Sequence, residues 1–377
     1  MADATTRVLM LCSGVGRENR GIETFFADAF AGLKGTPGLD LTLGIGAGIV
    51  GPGQERIASL SRFSSLSKTL GRLVGRDGYT IEQLSSIPSV LAKIRRFKPH
   101  VVFTSEANLA MRLRAVGGVP YRLMFSNGAP MRGPFPWADY VHQVTPTYRK
   151  LAIADGDSPS RHILVPYGFS IPKAAPDRSM DRRRAARRIL GLPEKRTIAL
   201  TVGWIARRHK RMDYVIDELA KLPGPRPLLA MIGAMDESSP EVVAEGREKL
   251  GAEGIVARSV PPGEVPTWYA AADVFVLGSL AEGFGRVYIE ALSLGVPVFS
   301  HDFPVGRFVN GAEAVYGNFA QAGALAGLMA DRLDLFAEDP AGDQRRWEYA
   351  RDNFGWQALA PRYREMFQVA AGGTKRA

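Results

Sequence analysis

A single cysteine, Cys12, stands among 377 residues, so no internal disulfide can hold this chain together. It lies in an apolar run and reads as a buried structural thiol, in keeping with a reducing compartment. Histidine is scarce too, at five residues, and neither His209 nor His301 has a partner at metal-ligand spacing. No apolar run approaches a membrane span, and Met1–Arg7 contains no signal core, so the expectation is a soluble, cytoplasmic protein. Zinc-finger spacing, RNP-like aromatics and a basic zipper are all missing, which argues against a nucleic-acid partner. The formal net charge of +10 therefore points to anionic substrates or an anionic membrane surface. Composition is that of an ordinary globular protein, with 46% hydrophobic and 23% charged residues, and the length suits two domains.

What is present is an alternation of short apolar strands with amphipathic helices. Arg7–Cys12 reads as a strand, Ser13–Gly21 as a glycine-rich turn and Ile22–Leu33 as a helix, the opening βα unit of a doubly wound sheet. Leu39–Ile45 follows as a second strand. Gly46-Ala-Gly-Ile-Val-Gly51 fits G-x-G-x-x-G letter for letter. Pro52-Gly53 comes at once, however, and no strand is expected over the following thirty residues or so, which favours a loop over a dinucleotide site.

Glu55–Val74 is expected to be an amphipathic helix or helix pair. Its apolar residues, among them Leu60, Phe63, Leu66 and Leu73, are interleaved with Arg56, Arg62, Lys68, Arg72 and Arg76. That pattern suits residues 55–76 lying on an anionic membrane surface, or a core-facing helix with a solvated basic face. Further on, a helix at Ile81–Phe97 and strands at Val101–Thr104, Arg122–Phe125, Tyr140–Val144 and His162–Val165 continue the alternation.

Ile171–Arg188 breaks the rhythm with Pro172, Pro176 and an arginine-rich helix, and reads as a domain boundary. The alternation then restarts. Strands are expected at Ile198–Val202, Leu228–Gly233, Ile255–Arg258, Val274–Gly278 and Val296–Ser300. Helices are expected at Met212–Leu222, Ser239–Leu250 and Val265–Ala271, and a closing helix pair spans Asp343–Ala371, broken at Asn353-Phe-Gly355.

The densest chemistry sits in Ser279–Val298, where Glu282 and Glu290 bracket a Gly-Phe-Gly turn that opens a helix. Gly295 and Pro297 stop that helix. A glycine-rich turn at a helix start offers free N–H groups and the positive end of a dipole, a setting for phosphate. Glu290, about one turn in, can accept both hydroxyls of a vicinal diol, and Glu282 stands on the other side of the phosphate. Phosphate between two diol sites is the outline of a nucleotide sugar.

Glu282-Gly-Phe-Gly-Arg-Val-Tyr-Ile-Glu290, with the helix and strand after it, resembles the E-x7-E segment of the retaining GT-B glycosyltransferases, family 4 among them. Gly21-Ile-Glu23, Val165-Pro-Tyr-Gly168, Thr201-Val-Gly203 with Lys210, and Asn353-Phe-Gly-Trp356 resemble further segments of that family, in order. The resemblance implies a GT-B fold, two Rossmann-like doubly wound parallel-sheet α/β domains facing across a cleft. Residues 1–171 would bind the acceptor, 172–352 the nucleotide sugar, and 353–377 would form a helix crossing back to the first domain.

By the same resemblance the activity is that of a retaining, metal-independent hexosyltransferase, in cell-surface polysaccharide or glycolipid synthesis. The donor would be a UDP-, GDP- or dTDP-sugar, the acceptor a glycan or lipid-linked glycan, and the location cytoplasmic or peripheral on the inner face of the plasma membrane. No cofactor is implied. Lys210 would neutralise the departing diphosphate, Glu282 would bind donor sugar hydroxyls and Glu290 the ribose. The turn Phe284, Gly285 and Arg286, together with Gly21 and Gly203, would contact the donor, and Arg258 would lie near the base.

Three positions depart from the family pattern. Trp204 stands where an arginine is common, so Arg207 or Arg208 is expected to supply the guanidinium, with Arg207 preferred. Asn127 replaces a histidine near the donor sugar, and Tyr167 replaces the hinge asparagine. A non-catalytic nucleotide-sugar-binding or membrane-recruited relative and a GT-B epimerase are the alternatives.

Overall fold

The computed structural model describes residues 5–18, 20–116, 120–128, 130–332 and 339–372. The chain divides into two units, 1–170 together with 354–377, and 171–353.

The first unit contains β1 (Thr6–Cys12), α1 (Gly21–Leu33), β2 (Leu39–Ile45), β3 (Gln54–Arg56), α2 (Ser65–Leu73), α3 (Gly78–Ser85) and α4 (Ile87–Phe97). It continues with β4 (Val101–Thr104), α5 (Ala107–Val116), β5 (Arg122–Asn127), β6 (Tyr140–Gln143), α6 (Pro146–Ala154) and β7 (His162–Leu164). The strands form one parallel sheet in the order β3-β2-β1-β4-β5-β6-β7. β1, β4 and β5 are almost wholly buried, as expected for strands covered by helices on both faces.

The second unit runs α7 (Met180–Leu190), β8 (Ile198–Val202), α8 (Met212–Ala220), β9 (Leu228–Ile232), α9 (Ser239–Leu250), β10 (Ile255–Arg258), α10 (Val265–Ala271) and β11 (Val274–Leu277). Then come α11 (Arg286–Ser293), β12 (Val298–His301), α12 (Pro304–Asn310), β13 (Ala314–Gly317), α13 (Ala324–Arg332) and α14 (Pro340–Phe354). Its parallel sheet has the order β10-β9-β8-β11-β12-β13. In each sheet the first strand sits in the middle and the order reverses beside it. Crevices therefore open at the carboxyl ends of β1/β4 and of β8/β11, where open α/β sheets take their ligands.

The last helix, α15 (Trp356–Gly372), belongs to the core of the first unit. Its Tyr363 and Phe367 join Phe25, Phe103 and His142 in one aromatic cluster. Tyr363 also donates to the Pro166 carbonyl at 3.0 Å. Tyr167 stacks on Phe25 with centroids 3.9 Å apart, and a methyl group on Gly128 would fall 1.5 Å from its hydroxyl oxygen. Tyr167 is therefore a packing residue, and Gly128 is the space it needs.

Several expectations are corrected. Glu55 and Arg56 lie in β3, an edge strand that the apolar pattern did not announce, and the helix expected from Glu55 starts at Ser65. Gly46–Gly53 leads into that strand and no helix follows it, so no dinucleotide turn forms. The single helix expected at Ile81–Phe97 is two, α3 and α4, separated at Ser86. Arg62 is buried, and so are Arg183 and Arg187 of the arginine-rich segment read as a charged boundary. Cys12 is buried and unpaired in a disulfide, and burial pushes its thiol pKa well up.

Candidate active site

In the second unit, β8 is followed by Gly203, whose φ of 146° disfavours an ordinary side chain. The backbone there is crowded, since a methyl group on Gly233 would meet the Gly203 carbonyl oxygen at 1.9 Å. The chain then turns sharply back. Lys210 is flanked by His209 and Arg211, both held at positive φ, 63° and 48°, a conformation that costs on the order of 1 kcal/mol each and concentrates at functional sites. Arg211 fastens the loop by donating to the Phe319 carbonyl at 2.8 Å. Lys210 lies along Gly203, where a Cβ would be 3.0 Å from the lysine Cε.

The second wall comes from β11. Gly278 permits close packing on the Lys210 loop, since a Cβ there would lie 2.7 Å from the Arg211 carbonyl oxygen. The following residues deliver Glu282 to Lys210, with Nζ and Oε1 2.7 Å apart. Glu282 is buried, and the exposed His209 has Nε2 3.9 Å from its other oxygen. Gly285, at φ 83°, begins α11 with no side-chain cap. The Tyr288 N–H donates back to the Gly285 carbonyl at 3.0 Å, and the helix start presents the positive end of its dipole. Gly285 sits against the buried Tyr288 ring, where a Cβ would meet Cδ2 at 2.7 Å.

One turn into α11, Glu290 accepts from the buried Tyr269 hydroxyl at 3.2 Å. Burial, and then the Glu290 charge, push the Tyr269 pKa well up, so it stays a donor. Lys210, Glu282, Gly203, Phe284, Gly285, Arg286 and Glu290 thus share the β8/β11 end of one sheet. Arg258 stands at the end of the edge strand β10, its guanidinium 5.6 Å from the Trp268 ring centroid.

Two residues assigned from the sequence have partners of their own. Arg207 is bound to Glu245 of α9 at 2.7 Å, with Asp213 at 3.9 Å, so it staples helices rather than joining the Lys210–Glu282 pair. Asn127, in the first unit, is buried. Its Nδ2 donates to the Met131 carbonyl at 2.9 Å and to Gln143 Oε1 at 3.1 Å, and its Oδ1 accepts from the Met131 N–H at 3.3 Å. An amide engaged at both ends in this way holds a turn. Gly21 opens α1 of the first unit. Among the described residues no group of three or more His, Cys, Asp or Glu is placed to hold a metal ion.

The first unit carries a counterpart at β1/β4 that periodicity did not reveal. Glu106, just past β4, receives the Ser13 N–H at 3.2 Å on both carboxyl oxygens, and the Ser13 hydroxyl packs closely on Oε1. The same hydroxyl lies 3.0 Å from Glu82 Oε1. Glu82 is held by Arg62 at 2.6 Å and Arg17 at 2.8 Å, and Glu23 lies 3.5 Å from Arg62. Burial works against the Glu82 charge, but the two guanidiniums outweigh it and its pKa is lowered.

Among the described residues no guanidinium is bonded to Glu106, and the Arg62 charge acts on it only as a minor influence. Burial raises its pKa from 4.5 to about 7, against the two Ser13 bonds and aided by the nearby Glu82 charge. Cys12 and Tyr79 face it too, and their own pKa values are raised by burial and by its charge.

A carboxyl whose folded pKa is raised binds more protons folded than unfolded, so its stability contribution falls as pH climbs from about 4.5 to 7. At about 1.4 kcal/mol per tenfold change in proton affinity, the loss is roughly 3 kcal/mol. Glu106→Gln, which keeps an acceptor for Ser13 N–H and gives Oγ a donor, is expected to raise the melting midpoint at pH 8 by on the order of 5 °C. The two curves should converge near pH 5. Parallel melting profiles from pH 5 to 8 would contradict the assignment.

Residues 182–353 match the family described as Glycosyl transferases group 1. The chain carries a group 1 glycosyltransferase domain. The group 1 match spans the β8/β11 end with Lys210, Glu282 and Glu290. A lipopolysaccharide core biosynthesis mannosyltransferase, LpsB of Rhizobium meliloti, is 27% identical over 79% of this chain and 78% of its own. A D-inositol 3-phosphate glycosyltransferase of Streptomyces avermitilis is 31% identical over 53% of this chain. The match spans less than half, 45%, of that relative's length.

Among solved structures, Anabaena HepE in complex with UDP and glucose aligns with a TM-score of 0.71 at 16% identity, covering 96% of this chain and 99% of its own. The sucrose-phosphate synthase of Thermosynechococcus elongatus aligns at 0.75 and 17%, covering 97% and 100%. At such identities these likenesses establish the fold, which is the GT-B glycosyltransferase fold over nearly the whole chain.

Proposed function

We propose that this protein is a retaining glycosyltransferase that moves a sugar from a nucleotide-sugar donor to an acceptor hydroxyl without a metal ion. The observation that carries the reading is the Lys210–Glu282 pair, 2.7 Å apart, beside the uncapped start of α11 at the β8/β11 crevice of a group 1 domain. That end of the sheet offers a cation and the positive end of a helix dipole for a diphosphate, and two carboxylates for hydroxyls. Lys210 would take the charge that builds on the diphosphate as the anomeric C–O bond breaks, which is where electrostatic stabilisation matters most. The acceptor oxygen would form the new bond on the same face, its proton passing to the departing phosphate oxygen. Glu290, held by Tyr269, would bind the ribose diol.

HepE complexes with UDP-glucose support a donor of this class. The test is release of nucleoside diphosphate from a panel of UDP-, GDP- and dTDP-sugars with glycan and lipid-linked acceptors, with and without EDTA. Acceptor-dependent release unaffected by EDTA is expected. Donor binding with no turnover across the panel would refute the enzyme reading, and an EDTA-sensitive rate would refute metal independence.

The acceptor belongs in the same proposal as a lipid-linked glycan at an anionic bilayer. Here the support is α2, which buries its small residues Ser67 and Gly71 and leaves Leu66 and Leu73 exposed. Phe63 and Val74 at its ends are exposed too, beside Lys68, Arg72 and Arg76. Large apolar and basic side chains on the outer face of a helix describe an interfacial segment. Among the described residues no helix is long and apolar enough to cross a membrane. Arg62 takes no part, being committed to Glu82. Leu66→Ser with Leu73→Ser, Lys68→Glu and Arg72→Glu should lower sedimentation with phosphatidylglycerol vesicles by about tenfold or more, at roughly 1 kcal/mol per basic residue. Unchanged sedimentation would dismiss the bilayer.

A further inference from the structure

Three large apolar side chains stand exposed around the Lys210–Glu282 pair. Trp204 follows β8 and is 42% exposed, Met235 follows β9 and is 44% exposed, and Leu280 follows β11 and is 37% exposed. β9, β8 and β11 are consecutive in the sheet, so all three residues occupy one rim, at the strands' carboxyl ends. The loops that carry them are knitted together. Ile205 N–H donates to the Ala234 carbonyl at 2.9 Å and forms a parallel bridge with Met235, and the Gly278 turn packs on the Lys210–Arg211 backbone.

Trp204 itself is presented rather than loose. Gly203 on one side donates to the Ile232 carbonyl at 2.9 Å. On the other side Ile205 is fully buried in the core, and its carbonyl accepts from Ser239 Oγ at 2.6 Å. Single exposed apolar residues are ordinary on a surface. Three of them on neighbouring strand ends, bordering a half-buried cation and a buried carboxylate, have the make-up of a ligand site: an apolar wall with a few convergent polar groups.

We infer that Trp204, flanked by Met235 and Leu280, is the platform for the C–H face of a pyranose ring and a determinant of which sugar is accepted; this rests on the glycosyl-transfer reading. A pyranose offers an apolar face and a hydroxyl rim. The indole suits the first, and Glu282, across the same crevice, suits the second. A flat nucleobase would suit the indole too, but it has no hydroxyls for Glu282, and the diphosphate it carries would compete with the ring for this rim. The ring could belong to the donor or to the acceptor, and the experiment separates them.

The experiment compares wild type, Trp204→Ala and Trp204→Phe. Calorimetric titration with UDP, GDP and dTDP and with their sugar conjugates gives donor affinities, and steady-state kinetics gives KM for the acceptor. Trp204→Ala is expected to weaken the nucleotide sugar, or raise acceptor KM, by about tenfold, the size of one aromatic contact. The free diphosphate should stay within about twofold, and Trp204→Phe should recover most of the loss. A donor effect assigns the donor ring and an acceptor effect the acceptor ring. Equal weakening of the free diphosphate overturns the proposal, because the indole then holds the base or merely the loop. No change in either constant overturns it as well. A wild-type protein that binds neither diphosphate nor nucleotide sugar defeats the glycosyl-transfer reading itself, before any variant is compared.

Discussion

Lys210→Met should lower turnover by about 10² to 10³-fold, the cost of deleting one preorganised charge partner of a transition state. Methionine keeps the stem that lies against Gly203, so packing survives and only the ammonium is lost. Glu282→Gln should lower turnover as well, by about 10²-fold if its hydroxyl contacts strengthen in the transition state. The two variants separate on a different axis. In the free protein the ammonium is held 2.7 Å from the Glu282 carboxylate, and an incoming diphosphate must compete with that carboxylate for it. Lys210→Met should therefore weaken the free nucleoside diphosphate, while Glu282→Gln, which removes the competitor, should bind it as tightly as wild type or more so. Calorimetric titration of both variants checks this. Turnover of Lys210→Met within threefold or so of wild type would remove Lys210 from the chemistry. A parallel loss of diphosphate affinity in both variants would mean that the pair acts as a structural clasp.

This pair was legible in the sequence because its position depends on local signals. A strand, a glycine turn and a helix start place Glu282, and Gly203 places the loop of Lys210. The same local reading located β10, α9 and α10 with the bounds seen in the structure. It failed where a side chain's partner lies far along the chain. Arg62 fits a basic helical stripe, yet it is buried on Glu82 and lies over the Tyr79 ring at 4.1 Å. Asn127 looked available at a strand end, but Gln143 stands beside it in the β5–β6 register. Arg207 and Lys210 sit in one basic run. Lys210 meets Glu282 and Arg207 meets Glu245 around a loop that holds two non-glycine residues at positive φ, for which composition carries no sign.

The arginine-rich segment before β8 shows the same effect at greater energetic stake. Arg183 and Arg187, one turn apart on α7, both converge on Asp273, the residue before β11. Arg187 lies 2.6 Å from Oδ2, which also accepts the Ile198 N–H at 2.7 Å. Arg187 donates in addition to the carbonyls of Ala271 at 3.0 Å and Glu194 at 2.8 Å. One buried carboxylate thus ties α7 to the central strands β8 and β11. Removing one partner of a buried ion pair leaves uncompensated charge in low dielectric and costs about 3–5 kcal/mol. Asp273→Ala leaves two guanidiniums, each 2% exposed in its side chain, without their carboxylate.

A loss of that size is a large share of an ordinary domain's stability of about 5–15 kcal/mol. Asp273→Ala is therefore expected to unfold the second unit, or to lower its urea midpoint steeply, while the first unit keeps its own transition. Asp273→Asn keeps an acceptor for Ile198 but turns an amide N–H₂ toward a guanidinium, and it should fall between the two. Replacing the whole triad together, with Arg183→Met, Arg187→Met and Asp273→Leu, removes the buried charge along with its partners and should recover much of the loss. A urea midpoint of Asp273→Ala within experimental error of wild type would show that backbone carbonyls alone satisfy both guanidiniums. The carboxylate would then contribute nothing to the framework that carries Lys210 and Glu282.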